Sequence, residues 1–193
     1  MPHFSLFCNS FWARRWSIKI TYRKLLPGDA ASYREIRLES LKTDPEAFGA
    51  SYEEQARLPK LMFETALEEP VDERFAIGSY DGEDLVGIFG FVPFAMDDSL
   101  EPGGAGTLIQ MYVRPAYRGN KIGLGLTKAV VEEAFKDPEI TQIVLGVKEG
   151  NVSAIRVYEQ AGFRTYRSVE AETERHECGR WMIISRQEAG SSF

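Results

Sequence analysis

The sequence predicts one α/β (α+β) domain built on a central mixed sheet flanked by helices, and three patterns carry that expectation. First, the apolar runs Leu108–Val113 and Ile140–Val147 bracket a helical stripe at Ile122, Leu126, Ala129 and Val130, which makes a β-α-β unit with parallel strands and a right-handed crossover. Second, Asp81-Gly82 joins the runs Arg74–Tyr80 and Leu85–Pro93, a strong signal for an antiparallel hairpin. Third, Phe163–Val169 and Trp181–Arg186 read as a closing strand pair around a polar turn.

The remaining elements follow in chain order. Residues 1–16 (MPHFSLFCNSFWARRW) have no basic start before their apolar part and no small-residue cleavage site. A signal peptide is therefore not expected, and the stretch reads as an N-terminal extension, docked or disordered. A single domain is expected over 17–193. Ser17–Leu26 alternates Ile18, Ile20 and Tyr22 with polar residues and stops at Pro27-Gly28, as a first strand does. Asp29 should cap a helix carrying Tyr33, Ile36 and Leu41. Thr43-Asp44-Pro45 should break it, with Pro45 opening a second helix through Phe48, Tyr52 and Ala56. A third helical stretch, Leu61–Glu69, ends at Pro70. Residues 97–106, acidic and rich in glycine and proline, form a loop before the central strand.

Composition excludes several classes. The 193 residues are 44% hydrophobic, enough for one well-buried core, and carry a net charge of −6, which argues against a general binder of nucleic acid or anionic membrane. No run approaches the ~18 apolar residues of a membrane span. Cys8 and Cys178 lie far apart, with only His3 and His176 to assist, so neither a disulfide scaffold nor a metal site is expected and a cytoplasmic location is the default.

The chemistry concentrates after the central strand. Arg114-Pro115 ends that strand, and Arg118-Gly119-Asn120-Lys121-Ile122-Gly123 opens the helix. A helix start exposes unpaired N–H groups at the positive end of its dipole, so this turn suits an anion, phosphate above all. Arg118 and Lys121 add charge. On the turn alone, two glycines serve tight packing equally well. Other phosphate motifs are excluded: there is no Gly-x-x-x-x-Gly-Lys-Ser/Thr, and Gly123-Leu124-Gly125 is followed by Lys128 where a dinucleotide fingerprint places glycine. Downstream, Asn151 and Gly162 cap a short helix at its two ends.

Together, Val113-Arg114-Pro115, the 118–123 turn and Asn151-x-x-Ala154-x-x-x-Tyr158-x-x-x-Gly162-Phe163 resemble the GCN5-related N-acetyltransferase (GNAT) superfamily, closely from about Phe75 to Tyr166. One position departs: Lys121 stands where the family most often has glycine. The segment RLESLKTDPEAFGASYEE resembles a subset of the same superfamily, in which paired helices wall the acceptor pocket.

The resemblance implies a mostly antiparallel sheet with a parallel, splayed strand pair, and acetyl-CoA as cosubstrate without a metal. Met111, Tyr112 and Val113 would make main-chain contacts to the pantetheine. Arg118, Gly119, Asn120, Lys121, Ile122 and Gly123 would cradle the pyrophosphate. Asn151 caps its helix and can also meet the cofactor or an ordered water. Tyr158 is the candidate acid for the departing thiolate, against the alternative that it only packs beside Ala154 and Ile155. For the base, Ala105–Val113 offers no carboxylate, which leaves Glu53 and Glu54 on the pocket wall, with Glu54 preferred, or a water chain to a distant carboxylate. No cysteine lies near the motifs, so direct attack in a ternary complex is expected. The acceptor would be a primary amine on a small molecule, with a peptide amine as second choice. The competing reading is a non-catalytic acyl-CoA sensor or regulatory module. Dimers are common in the family, so a homodimer is allowed.

Overall fold

The computed structural model describes residues 19–69, 73–97, 100, 104–168 and 179–192. The N-terminal extension, both cysteines, both histidines and the polar turn before the last strand lie outside the described residues. So does part of the loop at 97–106.

Seven strands form one mixed sheet in the order β1-β2-β3-β4-β5-β7-β6. They are β1 (Ile20–Lys24), β2 (Phe75–Asp81), β3 (Asp84–Val92), β4 (Ala105–Val113), β5 (Gln142–Val147), β6 (Arg164–Ser168) and β7 (Arg180–Ser185). All neighbours are antiparallel except β4 and β5. The expected hairpin and β-α-β unit are both present.

The helices α1 (Ala30–Thr43) and α3 (Met62–Glu68) cover one face of the sheet, and α4 (Ile122–Ala134) and α5 (Val152–Gln160) cover the other. The alternation of β3 sets this division. Phe89 and Phe91 pack with Leu126, Val130 and Ile155, while Ile88 and Val92 pack with Tyr33, Ile36 and Phe63. The short helix α2 (Tyr52–Arg57) follows α1 along the chain.

Four local readings are corrected. Pro45 opens only a three-residue 3-10 turn, Pro45–Ala47; Phe48 is extended at φ −127° and ψ 148°, and α2 starts afresh behind Ser51, whose Oγ accepts from the Glu54 N–H at 3.2 Å. Gly49 and a good N-cap at Ser51 end what periodicity alone joined. Asp29 makes no side-chain cap on α1; its carboxylate accepts instead from the Leu26 N–H at 2.7 Å and from both Arg23 guanidinium nitrogens at 2.7 and 2.9 Å. The helix α4 begins at Ile122, because residues 118–121 are spent on the turn. The chain also ends in α6 (Arg186–Ser192), where only a strand end was expected. Its signal was in the sequence: Ser185 and Glu188 form a reciprocal capping box, the Ser185 N–H donating to Glu188 Oε2 at 2.8 Å and the Glu188 N–H to Ser185 Oγ at 3.3 Å.

A bulge in β4 prepares the site. Tyr112 faces Ile88 and Ile109 faces Gly90, so two residues of β4, Gln110 and Met111, share the place opposite Phe89. Gln110 takes a left-handed φ of 64°, stabilised by the Tyr33 hydroxyl donating to its Oε1 at 2.8 Å. The extra residue reverses the alternation beyond it. Met111 and Val113 therefore join the α4 side of the sheet, and Tyr112 joins the α1 side.

Candidate functional site

The strands β4 and β5 pair only from Ala105–Thr107 to Gln142–Val144. Beyond that point they part, and the side of β4 away from β3 is left without a strand partner. The Arg114 N–H donates to Val86 O, so by the alternation of an antiparallel ladder the polar groups of Val113 point toward the opening. A cleft of about 810 Å³ occupies the gap. It runs from Phe48 past Met111, Tyr112 and Val113 to the start of α4. Gly123 keeps it open: a Cβ there would lie 2.8 Å from Met111 Cε and 3.8 Å from the Val157 methyls.

At the far end the turn presents main chain. Gly119 has φ 81° and Lys121 φ 60°, both left-handed, and Asn120 Nδ2 donates to Tyr117 O at 3.1 Å and Arg118 O at 3.3 Å, which braces the bend. The first internal bond of α4 is from the Gly125 N–H to Lys121 O at 3.1 Å, and no side chain caps the helix. The N–H groups of Ile122, Gly123 and Leu124 therefore have no partner within the helix, and all three residues line the cleft. Three cations line it too: Arg118, Lys121 and Lys148. Arg118 donates through Nε to Val113 O at 2.9 Å and pairs with Asp44 at the end of α1, while Lys148 reaches only the well-exposed Glu46 at 3.8 Å.

The structure brings Met111, Tyr112, Val113, Arg118, Gly119, Lys121, Ile122, Gly123 and Asn151 together on this one cleft. Asn151 also caps α5, its Oδ1 accepting from the Ala154 N–H at 3.2 Å and from Ser153 Oγ at 3.1 Å. Two of the expected cofactor contacts lie off the lining. The Asn120 side chain is engaged within the turn. Tyr158 is buried beneath the cleft, its ring 6.0 Å from that of Phe89 and 6.1 Å from that of Phe163. Among the described residues its hydroxyl has no hydrogen-bond partner, and burial pushes the phenol pKa well above its ordinary value.

Glu54 is placed apart from both. It is exposed on α2 and lines an adjoining hollow of about 740 Å³ with Glu53, Tyr52 and Lys42. The two spaces meet at Pro45, Glu46, Phe48 and Lys148. Asp44, Lys148, Ser153 and Gln160 also line the cleft without having been singled out in the sequence. Lys148 had a signal, since it directly follows the parallel strand at the end where ligands of such sheets bind. Asp44 had none beyond its place in a helix stop.

A parallel strand pair that parts over an uncapped helix start, with cations on the turn, is an arrangement whose shape and charge suit a phosphate-bearing ligand laid along a strand edge. The chain belongs to the GNAT family: a sequence model described as the Acetyltransferase (GNAT) family matches residues 34–163. Among its relatives, an aminoglycoside N(6')-acetyltransferase type 1 of Klebsiella pneumoniae is 37% identical over 67 residues, 35% of this chain and 33% of that protein. The spermine/spermidine N(1)-acetyltransferase of Bacillus subtilis is 28% identical over 88 residues, 46% of this chain and 58% of that protein. The chain thus matches about a third of the length of the first relative and somewhat over half of the second.

Solved structures show the same fold. An aminoglycoside acetyltransferase in complex with coenzyme A superposes with a TM-score of 0.67 at 22% identity, over 90% of this chain and 99% of that one. A ribosomal-protein-alanine N-acetyltransferase from Brucella melitensis gives 0.63 at 16% identity, over 86% and 99%.

Proposed function

We propose that the chain is an acetyl-CoA-dependent N-acetyltransferase that acts on a primary amine by direct attack in a ternary complex. The observation that supports this most is the opening of β4 from β5 directly before the uncapped start of α4. Acetyl-CoA supplies an activated acetyl group as a thioester; the chain's own residues hold and orient it. The main-chain groups of Met111 and Val113 that face away from β3 offer ladder-type bonds along the cleft, with Val113 O shared with Arg118 Nε, while those of Tyr112 face β3. Arg118, Gly119, Asn120, Lys121, Ile122 and Gly123 form the anion cradle, with Asn120 acting through the shape of the turn. Asn151 fixes the start of α5 beside it.

Tyr158 holds a proton for the departing thiolate, and its burial keeps the phenol neutral across the working pH range. Glu54 is the proposed base, acting from the hollow that joins the cleft at Phe48. A small-molecule amine is the first choice of acceptor, because the sequence relatives are named for aminoglycosides and polyamines; a peptide amine is the second.

One observation favours the alternative of a non-catalytic acyl-CoA sensor. The strand β4 carries no carboxylate, and Glu54 stands outside the cleft. Thiol release from acetyl-CoA with a panel of primary amines separates the two. Sustained release with any amine supports the enzyme; tight binding without release supports the sensor.

A further inference from the structure

We propose, resting on the N-acetyltransferase reading, that the amine acceptor also carries a carboxylate and that Arg37 is the residue that selects it. Arg37 lies on α1 at 4% exposure. Among the described residues its polar company is sparse for a buried cation: Nη1 donates to Ser40 Oγ at a long 3.4 Å, and Nε has no partner. No carboxylate of the described residues lies within ion-pair distance of it. The carboxylates that α1 offers are committed elsewhere, Glu35 and Glu39 both to Arg114 at 2.5 and 3.0 Å. Arg34, one turn earlier, is by contrast fully engaged, with Glu64 at 2.6 Å and Leu58 O at 2.6 Å.

A guanidinium stays protonated even when burial lowers its pKa, as it does here. A buried charge left isolated destabilises the fold unless an anion meets it. The described residues supply no such anion; Arg37 lines neither the cleft nor the hollow, but the ring that covers it does. The Phe48 ring covers the guanidinium at 4.8 Å, and Phe48 is one of the four residues at which the cleft and the adjoining hollow join. Phe48 is only half-buried and sits in extended backbone between a 3-10 turn and α2, followed by Gly49. Rotation of that one ring opens the guanidinium to the junction.

The cleft that Phe48 lines also takes in Met111 on β4. Tyr33, one helical turn before Arg37, bonds Gln110, which precedes Met111 at the bulge. A carboxylate on Arg37 would therefore place its attached amine beside β4. The hollow carries Glu46, Glu53 and Glu54 together with Lys42 and Lys148. That mixed lining suits a zwitterion such as an α-amino acid, whereas a polycation would meet Arg37 as a like charge.

The test compares amino acids with their decarboxylated amines and their amides, phenylalanine against phenethylamine and phenylalaninamide among them, in wild type, Arg37→Met and Arg37→Lys. The wild type is expected to show kcat/KM at least tenfold higher for the acid. Arg37→Met should abolish that ratio, Arg37→Lys should restore part of it, and both should bind acetyl-CoA like wild type. Arg37→Met should also melt at or above the wild-type temperature, since it removes an unpaired buried charge. Should Arg37→Met not fold, Phe48→Ala uncovers the guanidinium without removing it and should lower KM for the acid alone.

Equal rates for acid and amine, or a ratio untouched by Arg37→Met, would overturn the inference while leaving the acetyltransferase reading intact. Where acetyl-CoA binds but no amine turns over, N-acetyl amino acids are titrated into the CoA complex: binding lost in Arg37→Met supports the inference, and no binding overturns it. Failure to bind acetyl-CoA at all would sink the acetyltransferase reading first, and this inference with it.

Discussion

At the scale of single residues, Gly123 and Tyr158 carry the sharpest expectations. Substituting Gly123 with leucine brings its Cβ to 2.8 Å from Met111 Cε, the end of a flexible side chain that can yield. Folding should therefore survive, while the branched side chain invades the cleft and lowers acetyl-CoA affinity by at least about tenfold. Unchanged affinity by calorimetry would place the cradle elsewhere. Tyr158→Phe removes a hydroxyl that has no partner among the described residues, so the melting temperature should hold within a degree or two. Turnover should fall by about 10²-fold with acetyl-CoA affinity preserved. An unchanged kcat would mean that the ring only packs between Phe89 and Phe163.

At the scale of elements, the junction of β1 and α1 is tied by one carboxylate. The Arg23 guanidinium, followed by the Leu26 N–H, holds Asp29 at a pKa of about 2 against an ordinary 3.8. A folded pKa below the unfolded one stabilises above the unfolded value, and that stability is lost as pH falls through the interval from about 4 to about 2. Because Arg23 is 44% exposed, screening trims the effect to about 1 kcal/mol. Asp29→Asn should cost about that much at pH 7 in denaturant unfolding and nearly nothing at pH 2. A pH-independent cost would point to the lost Leu26 bond alone. The strands, α1 and the start of α5 were legible because each is set by local alternation or a local cap. The division between the 3-10 turn at Pro45 and α2, and the bulge at Gln110, were not. The first hangs on a cap competing with periodicity, and the second on a hydroxyl delivered by Tyr33 from 77 residues away.

At the scale of the whole molecule, the two halves of the site differ in how far sequence reaches. The proposed cofactor half is nearly contiguous chain, Met111–Val113 running into Arg118–Gly123, so a strand, a stop and a glycine-bearing turn announce it. The proposed acceptor half would be assembled from separate segments, with Arg37 set under Phe48, and Gln110 tied to α1 through Tyr33, only by packing α1 and its following turn on the sheet. Glu54 shows the consequence: its helical state was legible, but its helix starts afresh behind Ser51 and leads to the hollow beside the cleft. The measurement that tests the central claim most directly is calorimetric titration of the protein with acetyl-CoA, CoA and ATP. Clear preference for acetyl-CoA and CoA over ATP is the predicted result, since on the proposed reading the open edge of β4 would bond the pantetheine that ATP lacks. Equal binding of all three would reduce the cleft to a phosphate site, and no binding of acetyl-CoA would contradict the account.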